Sequence, residues 1–392
     1  MRILYFADIR FPLERANGIQ TMETCYALAE RGHDVTLAVR PDTHSPARDP
    51  FEYYGLAKDH RLRIAHAPVA GPATARRIGY LAFAIGRALG KSRIIMTRDL
   101  GLASLLVRFP RALRAPVVYE SHGYAPDVAA ALPGLVATAT PPTPGKVARL
   151  AVREARVWQG ADGYVTITVG LARELTTRFG KRRHLAAIPD GVRLTPGPID
   201  VEPPTGNIVA YAGHLYAWKG VDVLLEALVH VPEARGLIVG GHGAEPDLAR
   251  TKTIAERLGI ADRVTFTGLV EPTRVMALLR QASVLVLPNQ ASAISTRFTS
   301  PLKLFEYMAA GRPIVASDLP SIREVLHDRV DSLLVPPGDA SALGEAILWL
   351  LADRGLARRL AAAAAKAVPQ YGWDRRAERL EALFNTVATP HR

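Results

Sequence analysis

FTSPLKLFEYMAAGRPIVAS, residues 298–317, reads as the start of a helix that runs into a short strand. Ser300 can accept from backbone N–H groups as a helix cap, and Pro301 in the next position loses no needed hydrogen bond. The run PIVAS, after Gly311-Arg312, has the valine and isoleucine content of a strand. Lys303 is the odd residue. It stands where a capping box would carry glutamate, beside a helix end that already bears roughly +0.5 elementary charge. A cation there is unfavourable unless an anion, most simply a phosphate, joins it. Glu306, three residues on, can pair with it for about 0.2–0.5 kcal/mol, too little to explain the choice.

Outward from this stretch, short apolar runs alternate with helical patterns in two series, which predicts βαβ units and parallel sheets. The first series holds RILYFAD, a turn at Asn17 and Gly18, the helix IQTMETCYALAERG, and the runs DVTLAV, RIIMTRD, APVVYESHG and GYVTIT. The second holds NIVAYAG, GVDVLLEALVHV, GLIVGG, RVTFTG, SVLVLPN, the opening stretch and SLLVPP. Between them, residues 185–206 collect prolines and glycines and read as a linker. The expected division is residues 1–187, 188–370 and a terminal helix over 371–392. At 392 residues the chain exceeds the size at which a single core keeps growing. The fold class is therefore α/β, two Rossmann-like doubly wound domains. Ligands of such sheets lie beyond the carboxyl ends of the strands, so two sheets facing each other would line a cleft.

Hydrophobic residues make up 48% of the chain and charged ones 22%, which excludes extended disorder. Lysine and arginine exceed the acids by 49 − 37 = 12, favouring anionic partners such as nucleotides, phospholipid surfaces or nucleic acid. Cys25 is the one cysteine, so no intrachain disulfide can form and a reduced, cytoplasmic setting is expected. The N-terminus lacks a signal peptide's apolar run, and no stretch approaches the about 18 apolar residues of a membrane span.

A second cation stands before a helix in YAGHLYAWKGVDVLLEAL: Lys219, with His214 five residues upstream on the loop leaving a strand. Two lysines at two helix starts point to one doubly charged anion, and a diphosphate fits. GLIVGGHG lacks the third glycine of a dinucleotide fingerprint and reads as a turn, so a dehydrogenase is a poor fit. Thr267 to Val270 close a strand where main-chain groups could read a base. In the first half Asn17 and Gly18 let backbone approach a ligand. Glu120 and His122 end a strand, where a substrate contact or an edge residue are the two readings, and Arg98 with Asp99 reads as a structural ion pair. No HExxH, CxxC or DxD pattern is present, so no metal ligands are expected; P-loop and GxSxG patterns are also missing.

Taken in order, ALAERGHDVTLAV, VVYESHG, IPDGV, YAGHLYAWKGVDVLLEAL, RVTFTGLV, SPLKLFEYMAAGRPIVASDLPSIREVL and YGWDRRAERL resemble glycosyltransferase family 4 over nearly the whole chain. That group comprises retaining nucleotide-sugar transferases of the GT-B fold. The resemblance implies a donor diphosphate neutralised by Lys219, a ribose held by Glu306, and phosphate donors at Thr299 and Ser300. It also implies that His122 approaches the donor sugar and Gly18 lies near the diphosphate. Three positions depart from the pattern. Phe298 occupies the slot of a sugar-contacting glutamate, His214 that of an arginine, and Asn17-Gly18 that of a glycine pair. Lys303 then takes over some of the arginine's charge.

The expected function is a metal-independent, retaining transfer from a nucleotide-diphosphate sugar to a sugar or lipid-linked acceptor, in envelope polysaccharide or glycolipid synthesis, with Lys219, His122 and His214 as catalytic groups. Nucleic acid is not an expected partner. The basic stretches 75–93 and 178–184 would rest on anionic lipid at the inner face of the membrane. The alternatives are a non-catalytic sugar-nucleotide binder and a GT-B epimerase.

Overall fold

A computed structural model describes residues 1–89, 94–135, 139–243, 245–298 and 300–388. These form two compact units. The first comprises residues 1–130, 142–191 and 373–388; the second comprises 131–141 and 192–372.

The first unit is built on a seven-stranded sheet. Its strands are β1 (Arg2–Arg10), β2 (Asp34–Arg40), β3 (Leu62–His66), β4 (Ile94–Thr97), β5 (Val117–Ser121), β6 (Gly163–Thr166) and β7 (Leu185–Ala187), in the order β3-β2-β1-β4-β5-β6-β7. Every pairing is parallel. The central strands are buried on both faces, as β4 (IIMT) and β5 (VVYES) show, because helices cover the sheet on each side. The last helix, Trp373–Ala388, packs against the first, Ala16–Glu30. Asn17 and Gly18 lie inside that first helix rather than in a turn before it. Gly18 is there for packing: a Cβ would stand 2.2 Å from the Leu13 carbonyl oxygen and 2.5 Å from the Tyr54 hydroxyl.

The second unit has a six-stranded parallel sheet of β8 (Ile208–Ala212), β9 (Arg235–Val239), β10 (Val264–Gly268), β11 (Val284–Leu287), β12 (Ile314–Ser317) and β13 (Leu333–Val335), ordered β10-β9-β8-β11-β12-β13. Its core lies on both faces. One side packs Leu224, Leu228 and Ile347 on the sheet, and the other packs Phe305, Met308 and Leu279. The order reverses between β8 and β11, which are paired through Val284–Val209 and Leu285–Ala210. Ligands of doubly wound sheets bind outside the carboxyl ends of the strands at such a reversal.

The opening stretch folds with one shift. Its helix is Leu302–Ala310, one residue later than the sequence suggests, so Pro301 and not Ser300 occupies the capping position and no side chain caps the helix. Pro301 keeps extended backbone (φ −77°, ψ 124°) instead of entering the first turn. Lys303 is consequently within the first turn, as expected. Gly311 ends the helix in the left-handed conformation with its N–H bonded to Met308 O, and the chain enters β12.

Candidate functional site

The site in the second unit grows from the ends of β8 and β11. Tyr211 and Ala212 close β8, and Gly213 follows. The Ala212 N–H donates to the Tyr307 hydroxyl at 2.7 Å, which ties the strand end to the helix Leu302–Ala310. That bond sets the register that brings Lys303 over the strand. Its ammonium lies 3.7 Å from the centre of the Tyr211 ring, and a Cβ on Gly213 would stand 2.9 Å from its Nζ. Lys303 is only 8% exposed, and its Nζ has no hydrogen-bond partner. Burial drives its proton affinity well below that of an ordinary lysine; Lys219 pushes the same way and Glu306 opposes. A buried ammonium with no acceptor is expensive to keep.

Lys219 supplies the second charge. The short 3-10 turn Ala217–Lys219 ends at Gly220, whose left-handed backbone (φ 76°) opens the helix Val221–Val229. A side chain at Gly220 would meet the Pro288 carbonyl oxygen at 1.7 Å, so glycine is required on both counts. Lys219 is half-buried, its Nζ 3.6 Å from the centre of the Trp218 ring, and desolvation pulls its pKa down to about 7. The charge of Lys219 adds to the depression at Lys303. An anion beside either lysine would favour its protonated form.

Glu306, partly exposed, follows Lys303 by one turn of the same helix. Ser300 precedes it, whereas Thr299 lies outside the described residues. Thr267 accepts from the Gly240 N–H at 3.2 Å and donates to Gly268 O at 2.9 Å, bracing the end of β10; Val270 packs on the core beside it. Two residues differ from the part expected of them. His214 does not stand free: its ring stacks on Tyr216 at 5.0 Å, and its Nδ1 is 3.4 Å from Glu245 Oε2, while the other carboxylate oxygen, Oε1, accepts from the Tyr216 hydroxyl at 3.1 Å. Phe298 is 2% exposed, with the Arg297 guanidinium 5.0 Å from its ring centre. It is a core side chain and presents nothing polar.

In the first unit, Glu120 is fully buried within β5 and is not an edge residue. The reason is its partners. Oε2 accepts from Arg376 at 2.6 Å, and Oε1 lies 2.6 Å from both Gln20 Nε2 and His122 Nε2. Burial opposes its ionisation, but Arg376, His122 and Arg98 outweigh that and hold the carboxyl at about 2. Arg376 also donates to the carbonyls of Ile188 (2.9 Å) and Pro189 (2.7 Å). Burial and Arg98 hold the His122 ring below its ordinary pKa, with Glu120 pulling the other way. Arg98 does not pair with Asp99. It donates to Asn17 Oδ1 (2.8 Å) and Gln20 Oε1 (2.9 Å), while Asp99 caps the helix Leu100–Leu106 and binds Arg77. Asn17, Arg98, Gln20, Glu120 and His122 thus form one chain of polar contacts. Sequence reasoning missed Tyr211, Arg376, Gln20 and Glu245; of these, Tyr211 and Arg376 lay in the stretches YAGHLYAWKGVDVLLEAL and YGWDRRAERL that carry the resemblance, without being singled out.

The basic stretches are partly spent inside the fold. Arg77 is held by Asp8 and Asp99, and Arg182 donates to the carbonyls of Trp158 and Ala161. Among the described residues no group of three or more His, Cys, Asp or Glu side chains is placed to hold a metal ion, and no helix is long and apolar enough to cross a membrane.

Residues 18–191 match the family described as glycosyl transferase 4-like domain, and residues 206–353 match glycosyl transferases group 1. D-inositol 3-phosphate glycosyltransferase of Xylanimonas cellulosilytica is 29% identical, over 91% of this chain and 88% of that protein. Phosphatidyl-myo-inositol mannosyltransferase of Mycobacterium leprae is 35% identical, over 52% of this chain and 54% of that protein. Among solved structures, Anabaena Alr3699/HepE in complex with UDP-glucose superposes with a TM-score of 0.73 at 16% identity, covering 98% of this chain and 100% of that one. With two doubly wound parallel sheets and a matched glycosyltransferase region in each unit, the chain belongs to the GT-B glycosyltransferases of family 4.

Proposed function

We propose that this glycosyltransferase is a retaining enzyme. It moves a sugar from a nucleotide-diphosphate sugar to a hydroxyl of a sugar or lipid-linked acceptor, in envelope glycolipid or polysaccharide synthesis, without a metal. The observation that carries the reading is the buried Lys303 ammonium with no acceptor, beside Lys219, at the reversal of strand order. Diphosphate oxygens supply what both lysines lack. Cleaving the bond from the anomeric carbon to the diphosphate leaves negative charge on the leaving phosphate and positive charge on the sugar, and the fixed cations answer the first. The acceptor oxygen attacks the face the phosphate leaves, so the configuration is kept. Its proton passes to the departing phosphate oxygen, which balances the step.

Glu306 takes the ribose hydroxyls, main-chain groups from Thr267 to Val270 take the base, and Ser300 and Thr299 take phosphate oxygens. In the first unit His122, held by Glu120, is the polar group ready for a substrate hydroxyl. UDP-glucose bound to the Anabaena protein supports a nucleotide sugar as donor, and the phosphatidyl-inositol relative supports a lipid-linked acceptor. A station at the inner membrane face is supported by the helix Ala73–Ala88, which exposes Ile78 (63%), Arg76 and Arg87; flotation with anionic vesicles tests it.

The test is transfer measured with UDP-glucose and GDP-mannose. Lys219→Ala should slow turnover about 10²- to 10³-fold with less effect on KM. Chelation should leave the rate unchanged, and product NMR should show the donor's anomeric configuration. Inversion at that carbon, or full activity in Lys219→Ala, would overturn the reading. Binding without transfer is the second reading, favoured by the buried Phe298 and the Glu245-bound His214. It predicts nucleotide binding with neither transfer nor slow donor hydrolysis.

A further inference from the structure

We propose that Asn289 is a hydroxyl-reading residue of the donor site, contacting the sugar of the donor rather than its diphosphate; this rests on the donor-site reading above. Asn289 follows β11 by two residues, on the strand pair where the sheet order reverses. It is fully buried, and neither its Oδ1 nor its Nδ2 has a hydrogen-bond partner. Native structures rarely leave both ends of a buried amide unmet, since each such group then bears its full desolvation cost. Its surroundings are the same strand ends that carry the lysines. The Gln290 N–H donates to Trp218 O at 3.0 Å, and Gly220 lies against the Pro288 carbonyl, so the segment 288–290 packs directly on the turn that presents Lys219. The Trp218 Nε1 is likewise buried without a partner, as is Lys303 Nζ. Three polar side chains in one region share this property.

The chemistry of the amide identifies its occupant. A carboxamide offers two N–H donors and an accepting oxygen. Phosphate oxygens could satisfy only the donors and would leave Oδ1 unmet. A hydroxyl both accepts and donates, so a polyhydroxyl group meets both ends at once. Phe298 contributes no polar atom to such a group, and Asn289 supplies the contact from the neighbouring strand end.

The test is calorimetric titration of the whole chain with UDP-glucose, GDP-mannose and inorganic pyrophosphate, on the wild type and on Asn289→Ala, Asn289→Leu and Asn289→Ser. For whichever sugar nucleotide the wild type binds, Ala and Leu should weaken affinity about tenfold, the size of one lost hydrogen bond. Ser, which still donates and accepts, should lose less, and pyrophosphate affinity should be unchanged in all three. The unliganded melting temperature of Asn289→Leu should hold or rise, because the variant removes an unmet amide. Unchanged sugar-nucleotide affinity with a lowered melting temperature would overturn the proposal and leave the amide serving a buried water. An equal loss for pyrophosphate would also overturn it. If Lys303→Met abolishes pyrophosphate binding while Asn289→Leu keeps full sugar-nucleotide affinity, the donor site stands and Asn289's part in it falls. If the wild type binds neither probe, both fall.

Discussion

Replacing Lys303 by methionine should make the unliganded protein more stable and the nucleotide-bound protein less so. The methionine keeps an apolar stem of similar length against Tyr211 and deletes the ammonium. What is lost in the free protein is a cation–π contact at 3.7 Å, worth about 2 kcal/mol when desolvated, and the attraction of Glu306. What is relieved is the larger cost, several kcal/mol, of an ammonium that is 8% exposed, lacks any acceptor and is repelled by Lys219. A net gain of about 1–2 kcal/mol follows, which raises the melting temperature of a unit this size by about 2–8 °C. Nucleotide diphosphate at 100 times its Kd should stabilise the wild type by about 2.7 kcal/mol. The variant, missing a desolvated charge contact worth about 2–5 kcal/mol, should show almost none of that response.

The pH dependence has a definite sign. A lysine whose proton affinity is lowered by folding binds fewer protons than it does unfolded, so stability rises with pH between the folded and unfolded pKa values. For Lys219 that window runs from about 7 to 10.5. Lys303 adds in the same direction, so the wild type's unliganded stability should climb more steeply across it than the variant's. Differential scanning fluorimetry of the whole chain, with and without UDP and GDP, reads all three effects. A variant that melts lower alone yet keeps the full nucleotide shift would refute the reasoning and make Lys303 a strut for Tyr211.

Glu120→Gln should destabilise the first unit by about 3 kcal/mol at neutral pH, since it removes a carboxylate held at about 2 against an ordinary 4.5. That contribution is complete above the unfolded value and fades as pH falls toward 2, so the gap between wild type and variant in denaturant titrations should close over that range. Gly220→Ala should cost about 2–4 kcal/mol and weaken nucleotide binding, because its Cβ collides with the Pro288 carbonyl and its backbone is left-handed; unchanged thermal unfolding would count against the turn's role. Phe298→Glu, which restores the acid expected at that slot, should lower the melting temperature without raising transfer, because it places a carboxylate in a site that is 2% exposed. Faster transfer at unchanged stability would show that the position faces the donor.

What could be read from the chain alone was local. Alternating apolar runs and helical patterns predict βαβ units because period and turn residues act over a few positions, and both sheets carry the runs named. The strangeness of Lys219 and Lys303 was also legible, since a cation at a helix start conflicts with charge supplied by that same helix. Local rules failed by small steps at Pro301 and Gly18, where tertiary packing moved the helix start. Strand order, and with it the reversal between β8 and β11, was decided by the folded structure, because parallel pairing joins segments through crossovers that sequence periodicity does not rank. Nor could the sequence join Arg376 to Glu120 across 256 residues, or reveal that Phe298 is core and Asn289 an unmet amide. Burial and hydrogen-bond satisfaction are properties of the packed neighbourhood, and a residue's type states only what it would need there.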